Sequence, residues 1–308
     1  MCLANVGTDP LNKARCCACG SAIPGSEFLS LTQRLRGTNR WERCCFCHAY
    51  FLSSPFDLQE EVRHTTQAAW GRDETGIALN SHKQGLYSAV MGRVLRASPP
   101  PGRLVDVGSS YGGFLQLARG AGYNVLGIEI LPSAVNYCRS LGLHVENCES
   151  VAEVPELMHG ATVDVFTCLD SNYYWHDQLS ELQMMARALR PGGTLAVRTI
   201  DKAWLVTLGL KLRKFNHARG ERLIKFALND HRFSMPLASF LKLLASVGLT
   251  IVYASPRGAL HGPGSPLLAK IGFAVGTPMW DWFRFPGAPG ALVIALKLRA
   301  DQDARFKE

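Results

Sequence analysis

The sequence has no apolar run of the roughly 18 residues that a membrane-spanning helix needs. Its first stretch, Met1–Arg15, also lacks the apolar core of a secretory signal peptide, and no long-period internal repeat is present. These absences predict a cytoplasmic protein without a transmembrane segment. The length of 308 residues suffices for one large domain and a small one, and an apolar fraction of 47% fits a packed globular core.

Acidic residues are scarce between Arg187 and Arg232. This segment holds eleven Lys or Arg residues against three acids, which accounts for the whole formal net charge of +8. A basic surface concentrates anionic partners around a protein, although a solvated helical face would have the same composition. Nothing in the sequence indicates an oligomeric state.

Ten cysteines are many for a cytoplasmic chain, where thiols serve metal or thiol chemistry more than disulfides. Four of them form two Cys-x-x-Cys knuckles, separated by a stretch in which Ser26–Trp41 could form a hairpin. This spacing predicts a tetrahedral zinc site whose ligands are Cys16, Cys19, Cys44 and Cys47. A closed four-thiolate site has no open position for chemistry, so the zinc is predicted to be structural.

Three further candidate ligands lie next to the knuckles and leave the ligand register open: Cys17, Cys45 and His48. A redox dithiol pair or an iron–sulfur cluster are the alternatives to zinc. Neither alternative has further support in the sequence.

The chain is organised around a Gly-rich turn in Leu104–Ala118, where an apolar run gives way to a helix-compatible stretch. Gly108, Gly112 and Gly113 have no side chain to keep a ligand away from the backbone. The helix beyond them would present unpaired N–H groups to that ligand. This pattern predicts the first strand, nucleotide loop and first helix of an open α/β sheet, with Asp106 facing a positive or hydroxyl-rich ligand.

The turn resembles motif I of the class I S-adenosylmethionine (SAM) methyltransferases, in which an acidic residue precedes three alternate glycines. Here the motif reads Asp106-x-Gly108-x-Ser110-x-Gly112, with Ser110 in place of the middle glycine. The alternative is a dinucleotide-binding fold, whose Gly-x-Gly-x-x-Gly spacing is absent. Arg187–Val197 also resembles the family's Leu-x-Pro-Gly-Gly turn before its fifth strand. Both matches imply SAM as the cofactor.

Strands and helices alternate regularly after Arg103, which indicates a parallel sheet wound on both faces. The predicted strands are Leu104–Val107, Asn124–Ile128, Leu143–Glu146, Val163–Leu169 and Thr194–Thr199. The predicted helices between them are Gly113–Ala121, Pro132–Leu141, Val151–Met158 and Gln178–Leu189. The resemblance implies a doubly wound, mostly parallel, seven-stranded Rossmann-like α/β sheet, completed by Leu249–Ala254 and an antiparallel Ala291–Leu298.

We expect a zinc-ribbon-like domain at residues 1–54 and a helical connector at 55–101, with helices at Pro55–Trp70 and Lys83–Ala97. The helix before motif I often covers the SAM pocket in this family. A SAM-dependent methyltransferase domain would follow at 102–300, with a basic insertion at about 201–232, and then a tail at 301–308. Within it, Pro256–Gly290 would cap the acceptor pocket or dock on the ribbon.

Three acidic positions would complete the SAM site. Glu129 ends the second strand about 20 residues after the Gly-rich turn, where a carboxylate can accept hydrogen bonds from ribose hydroxyls. The resemblance implies that Glu149 or Asn147, after the third strand, meets the adenine amino group. Asp170, which follows the fourth strand, would contact SAM or orient a catalytic base.

The catalytic base is harder to assign, because the position that matches the family's histidine is Ser171. His176 follows five residues later, and His231 lies in a stretch that resembles the turn before the family's last helix. Both are candidate bases, and a hydroxyl acceptor would need one near its proton. Most of the catalysis would come from positioning the methyl donor against the acceptor.

The insertion at Asp201–Asp230 lies where the family carries its acceptor-binding lid. Its basic side chains suit a phosphorylated or carboxylated acceptor, a lipid-linked glycan or RNA, and an amphipathic helix at a membrane surface is a further alternative. We expect O-methylation of a small acceptor, a sugar or other anionic biosynthetic metabolite. An RNA methyltransferase that uses the ribbon and lid to clamp phosphates, or a non-catalytic SAM-binding module that recognises a partner, are the alternatives.

Overall fold

A computed structural model describes residues 16–21, 27–33, 37–52, 77–160, 162–228, 232–255 and 290–298. The predicted helix Pro55–Trp70, the segment Pro256–Gly290 and the candidate base His231 lie outside the described residues. Most of the motif-bearing chain, including both cysteine knuckles, is described.

The larger sheet has seven strands in the order β10-β11-β8-β7-β4-β5-β6. They are β4 (Arg103–Val107), β5 (Asn124–Glu129), β6 (Val145–Asn147), β7 (Val163–Leu169), β8 (Leu189–Thr199), β10 (Thr250–Ser255) and β11 (Ala291–Leu296). Strands β4 to β8 pair in parallel, whereas β11 is antiparallel to both β8 and β10. The prediction of a doubly wound, mostly parallel seven-stranded sheet is confirmed.

The winding of the sheet places the functional loops. From β4 the chain proceeds outward to β5 and β6, and then returns to β7 and β8 on the other side of β4. The direction therefore switches between β4 and β7, and ligands of open α/β sheets bind at the carboxyl ends of the strands at such a point.

Helices cover this sheet with their apolar stripes. They are α1 (Ile77–Ala97), α2 (Gly113–Gly120), α3 (Pro132–Ser140), the short α4 (Pro155–Met158), α5 (Gln178–Ala188) and α8 (Leu237–Ser246). Phe114 and Leu115 of α2, for example, are buried together with Leu86 and Val90 of α1 in one core cluster. The sequence spacing of these apolar residues is the helical one.

Three predicted elements differ in the structure, and the first is the helix predicted at Lys83–Ala97, which begins at Ile77 as α1. The predicted helix Val151–Met158 is a 3₁₀ turn, Val151–Glu153, followed by α4, since Pro155 begins a new helix and cannot continue the old one. Strand β8 begins at Leu189 and not at Thr194, so the Pro-Gly-Gly sequence lies within the strand. Gly192 accommodates this with φ +84° and donates its N–H to the Lys297 carbonyl at 2.6 Å.

A second sheet joins the N-terminal part of the chain to a later segment. Its four strands are, in order, β1 (Glu27–Gln33), β2 (Gly37–Arg43), β3 (Tyr50–Leu52) and β9 (Phe233–Ser234). Strands β1 and β2 form the predicted hairpin, and β3 pairs antiparallel with β9. Because β9 comes from the chain beyond the larger sheet's parallel strands, the cysteine-bearing part shares a sheet with the rest of the protein.

The basic insertion is a helical hairpin of α6 (Ala203–Arg213) and α7 (His217–Leu228). Its buried side packs against the second sheet in one apolar cluster, whose buried members are Trp41, Tyr50, Leu52, Ala203, Leu205, Val206, Ile224, Ala227 and Leu228. No helix in the described part of the chain is both long and apolar enough to cross a membrane.

Candidate functional site

The turn between β4 and α2 requires glycine at two positions. Gly108 has φ +76°, and a Cβ atom there would lie 2.4 Å from the Cβ of Ser171. Gly112 has φ +72°, and its Cβ would lie 2.8 Å from the Sγ of Cys138. Both the left-handed conformation and the close neighbours exclude a side chain, so the backbone stays open above the strand ends.

Ser110 takes the conformation of the glycine that it replaces. Its φ is +49°, in the left-handed region that L-residues seldom adopt. In this conformation its backbone N–H donates to Oε2 of Glu129 at 2.7 Å. The departure from the family motif therefore changes the side chain but keeps the turn.

Glu129 is buried at the end of β5, and both of its carboxylate oxygens are fixed. Besides the Ser110 contact, Oε1 accepts the Leu131 N–H at 2.8 Å. Burial raises the pKa of this carboxyl, and the backbone N–H donors act against that rise. Asn147 steadies the same loop, because its Nδ2 donates to the Glu129 carbonyl at 2.9 Å.

Asp106 lies buried at the end of β4, with its Oδ1 accepting the hydroxyl of Thr167 at 2.6 Å. Burial raises the pKa of its carboxyl to about 7, opposed by the Thr167 hydrogen bond and by the positive charge of Lys83. Near neutral pH this group can therefore change its charge when a cationic ligand arrives.

Asp170 belongs to an ion-pair network at the end of β7. It has φ +69°, and its carboxylate pairs with Arg198 of β8 and, at 3.4 Å, with Lys83 of α1. Burial alone would raise its pKa, but the two cations outweigh burial and lower it. Asp170 is thus held as a carboxylate, which makes it an electrostatic group and a weak proton acceptor.

Two cations of this network, Lys83 and Arg198, were not among the predicted site residues. The sequence signal for Arg198 is a charged residue within the apolar strand β8, where its neighbours Val197 and Thr199 are buried. Lys83 had a weaker signal, as one charged residue on the helix before motif I.

The candidate base His176 contacts a predicted cofactor residue. Its Nε2 lies 2.5 Å from Oε1 of Glu149, and both side chains are partly exposed. Glu149 follows β6 and His176 follows β7, so the pair joins two segments at the carboxyl ends of the parallel strands. The pairing gives Glu149 a partner other than the adenine amino group that was expected.

The four knuckle cysteines lie close together, with all four sulfurs within 4.8 Å of one another. The Sγ atoms of Cys16 and Cys47 are 3.8 Å apart, and those of Cys19 and Cys44 are 3.9 Å apart. A tetrahedral zinc site with bonds of about 2.3 Å has ligand sulfurs roughly 3.8 Å apart. The donor set and spacing therefore fit zinc.

Two of the candidate ligands next to the knuckles, Cys45 and His48, have other surroundings. Cys45 is exposed, and the Nδ1 of His48 lies 3.3 Å from the Arg43 guanidinium. Among the described residues, the group that can hold a metal consists of Cys16, Cys19, Cys44 and Cys47. Backbone N–H groups donate to two of these sulfurs, at 3.4 Å each, from Ala18 to Cys16 and from Phe46 to Cys44.

The first knuckle docks on the sheet-covering helix α5. The Gln178 N–H, at the start of this helix, donates to the Cys17 carbonyl at 3.0 Å. At Gly20, a Cβ atom would lie 2.7 Å from Leu179, so this contact also needs a glycine. The cysteine cluster is thereby continuous with the main hydrophobic core, which includes Trp175.

Comparison with known proteins identifies the catalytic part of the chain. The sequence model of a family described as "Methyltransferase domain" matches residues 79–254. A ubiquinone biosynthesis O-methyltransferase of Methylococcus capsulatus is 30% identical over 113 residues, which are 34% of this chain and 48% of that protein. The matched part thus spans about half of that relative's length.

Solved structures with a similar arrangement include two enzymes of low sequence identity. One is a methyltransferase of Haloferax volcanii in complex with the Trm112 activator, at TM-score 0.49 and 16% identity, covering 75% of this chain and 97% of that one. The other is geranyl diphosphate C-methyltransferase of Streptomyces coelicolor, at TM-score 0.47 and 16% identity, covering 75% and 87%.

Proposed function

The chain belongs to the methyltransferase-domain family and is a SAM-dependent methyltransferase, and we propose that it methylates a hydroxyl group of a small anionic or sugar-like acceptor. The observation that carries this proposal is the contact of His176 with Glu149 at the carboxyl edge of the sheet. The O-methyltransferase activity in the name of the Methylococcus relative supports it. Bound SAM supplies an electrophilic methyl group on a sulfonium.

We propose that the Gly-rich turn and the acidic strand ends hold SAM. Gly108, Ser110 and Gly112 leave the backbone accessible, and Glu129 offers its carboxylate to the ribose hydroxyls. Asp106 and the Asp170–Lys83 pair offer both signs of charge, which suits the amino-acid end of SAM with its ammonium and carboxylate groups. These residues bind and orient the methyl donor, which accounts for most of the rate enhancement expected.

His176 is our candidate for the base that takes the acceptor proton. A carboxylate paired with one imidazole nitrogen fixes the orientation of the ring and leaves the other nitrogen to face an acceptor. Glu149 would act as this positioning residue, a role that replaces its predicted contact with adenine. His231 stays a second candidate base, and Asp170 acts through its charge.

We further propose that one zinc ion occupies the four-cysteine cluster and serves folding. Strand β3 follows the second knuckle directly and pairs with β9, so the zinc ligands would stabilise the surface on which the basic hairpin packs. The division into a zinc-binding unit at 1–54, a connector and a methyltransferase domain remains a prediction, as does a cytoplasmic location.

RNA methylation is the second candidate function, and one observation favours it. The basic hairpin packs on the second sheet, where its Val206 lies in one cluster with Trp41 of the sheet. The zinc-binding part and the basic surface therefore form one contiguous region. Such a region could follow a phosphate backbone, with affinity that falls steeply as salt rises.

The deciding experiment supplies methyl-labelled SAM to the purified protein in an extract from its source. We expect label in small molecules that resist nuclease, and no label with the Asp106→Ala variant, which should lose SAM. Label that disappears on ribonuclease treatment would replace the proposal with RNA methylation. Label in nitrogen- or carbon-bound methyl groups of a small molecule would contradict O-methylation and keep the methyltransferase assignment.

A further inference from the structure

The outer face of the α6–α7 hairpin combines exposed apolar and basic side chains. Phe215, in the turn between the helices, is 90% exposed, and Phe226 and Leu208 are 62% and 41% exposed. Four exposed cations lie among them: Lys211, Lys214, Arg219 and Arg222. We call these seven residues the basic–aromatic surface.

We propose that the basic–aromatic surface docks the enzyme on an anionic lipid membrane, with Phe215 inserted at the boundary between headgroups and acyl chains. The docking concerns a surface of the hairpin and does not depend on which acceptor is methylated.

Charge favours this partner. The hairpin, from Ala203 to Leu228, carries six Lys or Arg residues against a single acid, Glu221. That acid is paired with Arg213 at 3.3 Å, and it is the one acidic residue on either helix. Anionic headgroups attract such side chains by about 1 kcal/mol for each Lys or Arg near the surface.

The apolar side chains favour a bilayer over RNA. Phe215 projects from the end of the hairpin and Phe226 from the exposed side of α7, where lipid can take them out of water. Of these two rings, that of Phe226 has a cation over it, since Lys202 lies 4.8 Å from the ring centroid. The helices are 11 and 12 residues long, too short to span the roughly 20 residues that a bilayer requires, so the hairpin would lie at the interface.

The hairpin is built to present this surface rigidly. Its helices approach so closely at Gly209 and Gly220 that a Cβ on Gly209 would lie 3.0 Å from the Gly220 carbonyl oxygen. The opposite side of the hairpin is held by the buried Val206 and Ile224 against the second sheet. Docking therefore needs no rearrangement of the two helices.

Vesicle sedimentation tests the proposal on the full chain without SAM or acceptor. The probes are phosphatidylcholine vesicles and vesicles with about one part in three phosphatidylglycerol, at low and high salt. We expect binding to the anionic vesicles alone, weakening with salt. Phe215→Ser should weaken it roughly tenfold, and the double variant Lys211→Gln/Lys214→Gln roughly 30-fold.

Matched controls separate the surface from general charge and apolarity. Met158→Ser removes another exposed apolar side chain, and Arg96→Gln/Lys242→Gln removes two exposed cations elsewhere, so both should bind like the unmodified protein. The proposal is overturned by equal binding to neutral vesicles, by no binding, or by unchanged binding of Phe215→Ser. It is also overturned if single-stranded RNA displaces the protein from vesicles and the Phe215→Ser variant binds that RNA as tightly as the unmodified protein does. SAM affinity, measured by calorimetry, reports on the enzyme assignment separately.

Discussion

The backbone N–H of Ser110 donates a 2.7 Å hydrogen bond to the Oε2 atom of Glu129. This bond ties the Gly-rich turn after β4 to the end of the neighbouring β5. It depends on the left-handed backbone of Ser110, with φ +49°. The predicted cofactor residues Ser110 and Glu129 are therefore held in place by each other before any ligand binds.

Replacing Ser110 with glycine should stabilise the protein. Glycine adopts positive φ without a Cβ penalty, and its greater freedom in the unfolded chain offsets part of the gain, so we expect roughly 0.5–1 kcal/mol. The hydrogen bond to Glu129 is a backbone bond and should persist, leaving SAM affinity unchanged. Urea unfolding measures the free energy, with Ser110→Ala as the control that keeps the strain. A less stable glycine variant would contradict the prediction.

The buried carboxyl of Asp106 should make the ligand-free protein less stable as pH rises. Burial raises its folded pKa to about 7 from an ordinary value of 3.8, so folding favours the protonated form. The stabilisation that protonated Asp106 gives to the folded state is complete below the pKa of the unfolded state and is lost as pH rises through the pKa of the folded state. The difference in unfolding free energy between the unmodified protein and Asp106→Asn should therefore shift against the unmodified protein between about pH 4 and about pH 8.

Measuring that difference, and not the stability of one protein, isolates Asp106 from other buried carboxyls. Burial also raises the pKa of Asp201 to about 7 and the pKa values of Glu129 and Glu181. These groups titrate in both proteins and cancel to first order. A pH-independent difference would mean that Asp106 keeps its ordinary pKa.

The Lys83–Asp170 pair should contribute to SAM affinity. Lys83→Met removes a cation from a largely buried carboxylate and should weaken SAM binding roughly tenfold, the effect of losing one charged hydrogen bond. Lys83→Arg should retain most of the affinity. Isothermal calorimetry with SAM measures both, and Lys242→Met on the exposed side of α8 is the control. Equal affinities for all three variants would remove Lys83 from the site.

How far the sequence predicts this site depends on the distance over which its parts interact. The strand Val163–Leu169 has the bounds that its apolar pattern predicts, and Gly108 and Gly112 have the backbone that motif I requires. These features are local, since each depends on a few neighbouring residues. The four-cysteine cluster was also predictable, because Cys-x-x-Cys spacing alone places two thiolates together.

Contacts between distant segments could not be predicted. Lys83 meets Asp170 across 87 positions, and Glu149 meets His176 across strands that only the fold brings together. Strand β9 has two residues and depends on β3 for its hydrogen bonds, so its own sequence contains no strand pattern. The Pro-Gly-Gly sequence predicts a turn, but the pairing of Leu189 with Val163 extends β8 through it.

The His176–Glu149 pair should matter for turnover and not for SAM binding. Once an acceptor is known, His176→Gln should lower kcat about 10²- to 10⁴-fold, the usual contribution of a general base. Glu149→Gln should lower kcat less, because it keeps a hydrogen-bonding partner for the imidazole but loses the carboxylate that orients it. SAM affinity should be the same in both. If Glu149→Gln weakens SAM binding and leaves kcat unchanged, Glu149 is the adenine ligand that the family resemblance implies.

Loss of a knuckle thiolate should release zinc and loosen the basic hairpin. We expect one zinc ion per chain by elemental analysis, and none in Cys16→Ser or Cys47→Ser, whose sulfurs are 3.8 Å apart. Strand β3 follows the second knuckle and pairs with β9, and its Tyr50 and Leu52 pack in one cluster with Ile224 of the hairpin. Amide hydrogen exchange in His217–Leu228 should therefore accelerate in these variants. Cys45→Ser, at an exposed cysteine outside the cluster, should retain zinc, and its hairpin amides should exchange as slowly as those of the unmodified protein. Zinc-free protein with the same exchange would show that the hairpin does not depend on the cysteine cluster.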